Sequence, residues 1–413
     1  MHKIERLLQT LAPKGVEFRK LGEVCEILDN RRIPIAKNKR NPGIYPYYGA
    51  NGIQDYIDSY IFDGDFVLVG EDGSVINKDN TPVVNWASGK IWVNNHAHVL
   101  QTKNELKLKF LYFYLQTIDV SYCVAGTPPK INQENLKKIT IPIPPLEIQQ
   151  EIVKILDAFT ELNTELNAEL KARKKQYQYY QNMLLDFNDI NQNHKDAKER
   201  LAQKPYPKRL KTLLQTLAPK GVEFRKLGEV CESTNKKTLK ISEVSEVKNK
   251  GMYPVINSGR DLYGYYHDFN NDGENITIAS RGEYAGFINY FNEKFFAGGL
   301  CYPYKVKDTN ELLTKFLYFY LKTNEIQIME NLVFRGSIPA LNKADIETLT
   351  IPIPPLEIQQ EIVKILDQFS ALTTDLQAGI PAEIKARKKQ YEYYREKLLT
   401  FKPLTPLNNK ELA

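Results

Sequence analysis

The chain has 413 residues, 42% of them apolar, with 56 Lys and Arg against 50 Asp and Glu, a net charge of +6. At roughly 100–200 residues per domain this is two to four domains of ordinary folded composition. No run approaches the ~18 apolar residues of a helical membrane span. The four cysteines, none in a CxxC pair, exclude a disulfide scaffold or a zinc ribbon.

In chain order, charged residues from Lys3 to Glu17 argue against a secretory leader, and reduced, buried cysteines fit a cytoplasmic protein. LLQTLAPKGVEFRKLGEVCE at 7–26 recurs letter for letter at 213–232, an offset of 206. TIPIPPLEIQQEIVKILD at 140–157 recurs at 350–367, and KARKKQY at 171–177 recurs at 385–391, offsets of 210 and 214. Between these anchors, 27–139 and 233–349 share only scattered features, such as KFLYFYL at 109–115 and 315–321. The chain is therefore a doubled module with a fixed frame and two unlike fillings.

The fillings are rich in aromatic and β-branched residues, with turn signals at Asn51-Gly52, Asp63-Gly64, Asp72-Gly73, Asp272-Gly273 and Gly298-Gly299. Runs 66–69 (FVLV), 91–93 (IWV) and 275–279 (NITIA) predict strands, and KFLYFYL predicts a helix in each copy. Each filling is expected to be a small mixed domain.

The frames predict long helices. Pro145 suits a first helical turn, and after it Ile148, Ile152, Ile155, Phe159, Leu162 and Leu166 step by four and three. Ile358, Ile362, Ile365, Phe369, Leu372 and Leu376 repeat those steps, and Ile380 and Ile384 extend the stripe. Such stripes are of coiled-coil type. Each helix should run to about Leu185 or Leu399, a rod of about 60 Å. Gly379-Ile380-Pro381 predicts a bend near Gln377 in the second rod. Packed antiparallel, the rods give an approximate twofold with one filling at each end and the two chain termini close together.

The expected class is thus α+β, two mixed domains alternating with two long helices in a pseudo-twofold repeat. The boundaries are 1–143, a helix at 144–186, a linker at 187–212, a second domain at 213–353, and a second helix with tail at 354–413. The linker reading rests on polar, aperiodic sequence around Lys204-Pro205-Tyr206-Pro207.

Catalytic motifs are missing from the sequence. It holds no (N/D)PP(Y/F) tetrapeptide, no GxGxxG and no Walker lysine loop. His96 and His98 lack an obvious third metal ligand, and Asp63, Asp65, Glu71 and Asp72 read as a solvated turn. No catalytic residue, metal or cofactor is expected. Base readout is the better prospect. Arg281 follows the strand NITIA and can donate two parallel bonds to guanine, and Glu283 can accept from cytosine. The first copy has Gly70-Glu71-Asp72-Gly73 at the corresponding place, acidic where the second is basic. Lys130, Asn132, Arg335, Asn342 and Lys343, on two Gly-led loops before the rods, are candidate phosphate or base-edge donors. A protein–protein adaptor is the alternative, but it does not explain why fillings diverge on a constant frame.

The doubled PPLEIQQEIVKILD, followed in the first copy by TELN-TELN-AELK and then KARKKQYQYY, between two dissimilar domains, resembles the specificity subunit of type I restriction-modification systems. The likeness covers essentially the whole chain. It implies two target-recognition domains, each reading one half of a split, asymmetric site in double-stranded DNA. It also implies helices that act as a spacer and dock two methyltransferase (M) subunits and, in the complete enzyme, restriction (R) subunits. AdoMet, ATP and magnesium would belong to those partners and none to this chain.

Overall fold

The protein is described by a computed structural model, which covers residues 2–73, 75–191, 196–374 and 379–404. The chain forms two compact units, residues 1–167 with 383–413, and residues 168–382. The first therefore holds both ends of the described chain.

In the first unit the core is a six-stranded sheet in the order Cys25–Ile27, Ala97–Thr102, Phe62–Gly70, Val84–Val93, Pro42–Gly49, Gly52–Ile57. Phe66, Val67, Leu68 and Val69 on the central strand are at most 2% exposed, as a strand covered on both faces requires. Asp63-Gly64, expected as a turn, lies inside this strand, with Asp63 opposite Lys90 and Gly64 opposite Gly89. Glycine's tolerance of positive φ, +137° here, bends the strand without ending it. The strand Val84–Val93 pairs antiparallel with Phe62–Gly70 and then, through Trp92 and Val93, parallel with Tyr47 and Tyr48.

The second unit keeps the same strand order with a gap in it. Cys231–Ser233, Cys301–Val306, Glu274–Ala279 and Ile288–Asn292 form one sheet, and Phe296–Ala297, Tyr253–Ile256 and Gly264–Tyr266 form another. Ile288–Asn292 and Phe296–Ala297 together do what Val84–Val93 does alone, down to the parallel pairing of Val255 with Phe296. Unlike sequences thus fill one topology. KFLYFYL is helical in both, at Leu108–Leu115 and within Thr314–Thr323.

The repeated segments are repeated because they bind each other. Glu17–Lys20 pairs antiparallel with Thr140–Ile143, and Glu223–Lys226 pairs likewise with Thr350–Ile353. Behind each pair a helix begins with a fully buried glutamine. The Gln149 side chain accepts from Lys107 N–H (2.8 Å) and donates to the Glu105 and Pro144 carbonyls (2.9 and 2.7 Å). Gln359 repeats all three bonds on Leu313, Glu311 and Pro354. Each glutamine ties the frame to the turn preceding the KFLYFYL helix.

One unbroken helix runs Leu146–Leu185, and two cover the second copy, Leu356–Thr374 and Ile380–Leu399. The expected bend near Gln377 falls outside the described residues; Pro381 lies in the first turn of the later helix, where its missing N–H costs nothing. Within the first unit, Phe159 packs on Tyr391 and Tyr394. Val16 N–H bonds the Lys402 carbonyl (2.8 Å) while neighbouring Glu17 pairs with Ile143, so the later helix ends where the earlier one begins. The two helices run antiparallel. In the second unit Phe369 packs on Tyr177 and Tyr180 in the same way.

The apolar stripe needs three corrections. Ile148, Ile152, Ile358 and Ile362 are fully buried, but Leu156 and Leu366 are buried beside only partly buried Ile155 and Ile365. Next to a globular core the covered face widens beyond a coiled-coil seam. Phe159, Leu162, Leu166 and Phe369 are half-buried. Leu372 is 37% exposed while Thr373 is buried, and Leu376 lies outside the described residues. The segment 187–212 is no free linker either. It contains the helix Ala197–Gln203, and its Ile190, Leu201, Tyr206 and Leu210 join the second unit's core.

All four cysteines are buried and free. Burial pushes the thiols of Cys25, Cys231 and Cys301 up to about 12, so they stay protonated.

Candidate nucleic-acid interface

In each unit the central strand ends in a turn onto which a Gly-led loop is pinned. In the first, Ile131 N–H bonds Glu71 O (2.9 Å), Gly73 N–H bonds Pro129 O (3.0 Å), and Asp72 bridges Lys130. In the second, Leu341 N–H bonds Ser280 O (2.9 Å), Gly282 N–H bonds Pro339 O (2.9 Å), and Arg281 bridges Ala340. Glu71 N–H bonds His96 O, and Ser280 N–H bonds Leu300 O. The backbone therefore equates Asp72 with Arg281, Glu71 with Ser280, His96 with Leu300, and Lys130 with Ala340. One scaffold presents two unlike sets of side chains.

The first set is mainly paired. Asp72 contacts His96 Nδ1, and Lys130 Nζ lies 3.1 Å from Glu71. Asn132 caps the helix Gln133–Lys138 by accepting from Asn135 N–H (2.8 Å). In the second set Arg281, Glu283 and Arg335 are exposed, and among the described residues no ion pair joins Arg281 to Glu283. Phe334 and Ile338 on the same loop are 76% and 52% exposed. Asn342 stands at the start of the helix Lys343–Glu347 without capping it, and Lys343 lies 3.6 Å from Glu347. Lys236 joins this side unforeseen. Burial, with the Lys343 charge adding to it against the opposing influence of Cys301, lowers its ammonium from the ordinary lysine value, and it sits 4.3 Å from the Tyr302 ring. No local motif marks it; the contact spans the sheet.

Under the first turn lies a buried charge network. His98, fully buried, has Nδ1 at 2.6 Å from Asp29 and Nε2 at 2.8 Å from the Ile131 carbonyl. A carbonyl only accepts, so Nε2 donates to Ile131 while Nδ1 faces the Asp29 carboxylate. Arg32 contacts Glu71 (2.5 Å) and Asp29 (3.4 Å). Asp29, Glu71 and His98 lie close enough to share an ion. Both carboxylates, however, already face Arg32, and both imidazole nitrogens are in use. The group works as a clamp, holding the end of the Gly-led loop at Ile131 to the sheet.

Two turns at equivalent places, built on one frame and differing in chemistry, are what a pair of readers needs. The family model for the type I restriction modification DNA specificity domain matches twice, at residues 13–173 and 219–386. The chain belongs to that family. It is 36% identical to a type I restriction enzyme specificity subunit of Haemophilus influenzae, over 96% of this chain and 98% of that one. It is 27% identical to the EcoR124I/EcoR124II specificity subunit of Escherichia coli, over 99% of each. In fold it is similar to the crystal structure of a type I S subunit from M. genitalium, with a TM-score of 0.60, 20% identity, and 95% and 97% of the two chains covered. Each family match spans one filling with most of the helix that follows it. A specificity subunit is thereby built of two such domains, and among the described residues no helix is long and apolar enough to cross a membrane.

Proposed function

We propose that this specificity subunit reads a split site in duplex DNA, one half through the turn at Asp72 and the other through the turn at Arg281. The observation that carries this reading is the backbone equivalence of those two residues on frames anchored by letter-for-letter repeated segments. Arg281, exposed and just past a strand end, suits bidentate donation to guanine in the major groove. Asp72 suits acceptance from cytosine N4, with His96 beside it. Arg335, Lys236 and Lys343 supply phosphate contacts around the second turn, and Lys130 and Asn132 flank the first.

The long helices set the distance between the two half-sites and dock two methyltransferase subunits, with restriction subunits joining in the full complex. Methyl transfer and cleavage, with their cofactors, belong to those partners. The test is to replace residues 27–139 with the filling of another specificity subunit and map methylated sites in the assembled complex. One half-site should change while the other half and the gap stay constant. A change in both halves would overturn the assignment of one reader to each unit.

A further inference from the structure

Exposed apolar side chains that stand singly are ordinary on a folded protein. In the second unit two stand together. Phe334 and Ile338, 76% and 52% exposed, sit on one short hairpin whose strands are Val333–Phe334 and Ala340–Leu341. Arg335 lies between them in sequence and is exposed as well. A Cβ at Gly336 would stand 3.0 Å from the Phe334 ring, so the glycine leaves the ring room to lie over the loop.

The hairpin is tied to the Arg281 turn through one residue. Ala340 pairs with Phe334 on one side and bridges Arg281 on the other. Gly282 N–H bonds Pro339 O and Leu341 N–H bonds Ser280 O, so Arg281 and Ala340 form a non-hydrogen-bonded pair, the kind whose side chains approach closest. Residues paired directly across strands project to one face. Phe334 and Arg281 therefore share a side of the ribbon, with a small alanine between them. Two strand spacings separate their backbones by about 10 Å, close to three base pairs at about 3.4 Å each.

The first unit builds the same ladder without the ring. There Ala125 and Lys130 exchange both N–H bonds at 2.9 Å, and Lys130 bridges Asp72. Ala125 thus holds the place of Phe334, and the frame needs no aromatic there. The ring is additional apolar surface, turned to solvent beside an arginine.

We propose that Phe334 reads the C5-methyl group of a thymine in the second half-site, within about three base pairs of the base that Arg281 contacts. That methyl is the apolar feature of the major-groove edges, and phenylalanine is among the side chains that contact it. Arg335, next in sequence, meets the phosphate backbone. The inference rests on the reading of DNA by the Arg281 turn and adds an A·T pair to what that turn recognises.

The test measures binding of the specificity subunit, with its methyltransferase, to duplexes carrying the selected site. Each thymine of the second half is replaced in turn by deoxyuridine, which removes the methyl group alone. One replacement should weaken binding about fourfold, the worth of one buried methyl group. In the Phe334→Ala complex thymine and uracil should bind alike at that position, while Phe334→Leu keeps the difference. Alanine already serves this place in the first unit, so the variant keeps the fold. An equal uracil penalty in Phe334→Ala, or no penalty at any thymine of that half, would overturn the proposal. Loss of the methyltransferase from the Phe334→Ala complex would overturn it too, assigning the ring to that partner. Arg281→Ala, measured alongside, separates the two readings. A second half-site that it leaves unchanged removes the reading of DNA by this turn, whereas an intact Arg281 effect without uracil sensitivity removes only the role of Phe334.

Discussion

Phe159 stacks on Tyr394 with ring centroids 5.6 Å apart and planes 28° from parallel, and its counterpart Phe369 stacks on Tyr180 at 5.0 Å and 25°. Each unit thus has one stacked aromatic pair between its antiparallel helices. The pair joins residues 235 apart in the first unit (394 − 159) and 189 apart in the second (369 − 180). Both tryptophans of the chain, Trp86 and Trp92, lie in the first unit, so tryptophan fluorescence follows that unit's unfolding.

Phe159→Ala removes the ring from a half-buried seam and should cost about 2 kcal/mol, less than the truncation of a fully buried aromatic. The tryptophan-detected urea midpoint should fall accordingly. An unchanged midpoint would mean the seam contributes nothing to the unit.

Gln149→Leu keeps the volume and removes three hydrogen bonds, leaving Lys107 N–H and two carbonyls without the amide in a site that is fully buried. The expected loss is about 2–3 kcal/mol, read from the same midpoint. Gln149→Glu should be no milder, because an acid has no amide hydrogens for the Glu105 and Pro144 carbonyls.

Asp29 gives the clamp a pH dependence. Burial alone would raise its carboxyl, but the bond and charge of His98, with Arg32 and the Val99 N–H, hold it below 3.8. A depressed carboxylate stabilises fully above the unfolded value, and that contribution is lost as pH falls through the folded one. Asp29→Asn should therefore cost about 2–4 kcal/mol at pH 7, and the gap to wild type should narrow below pH 3.8. A gap that stays constant down to pH 3 would show that the charge of Asp29 is not what matters.

Arg281→Ala should relax one half of the recognised site by about 1–3 kcal/mol of discrimination and leave the other half intact. Asp72→Ala should do the converse. Either substitution altering both halves would sever the link between turn and half-site.

The frames were legible in the sequence because repetition marked them, and the strand ends at 70–73 and 280–283 because turn residues follow apolar runs. Leu156 and Leu366 were missed because a 4–3 stripe describes a narrow seam, and the covered face beside a domain is wider. The core role of 187–212 was hidden because Leu201 and Tyr206 are isolated apolar residues in polar sequence. Gln149, Asp29 and Lys236 carried no local signal, because Lys107, Val99 and Tyr302, which they contact, lie 42, 70 and 66 residues away. Lys130 and Asn132 lie at the end of the first Gly-led loop and Lys343 opens the helix after the second, and each side chain already has a partner there.

The central claim is tested most directly by selecting bound sequences from randomised duplex DNA with the specificity subunit purified together with its methyltransferase. The account predicts one motif of two unlike halves separated by a fixed gap, with binding that weakens steeply as salt rises. A single contiguous or palindromic motif would contradict it, because two units carrying Asp72 and Arg281 at one position cannot read the same bases.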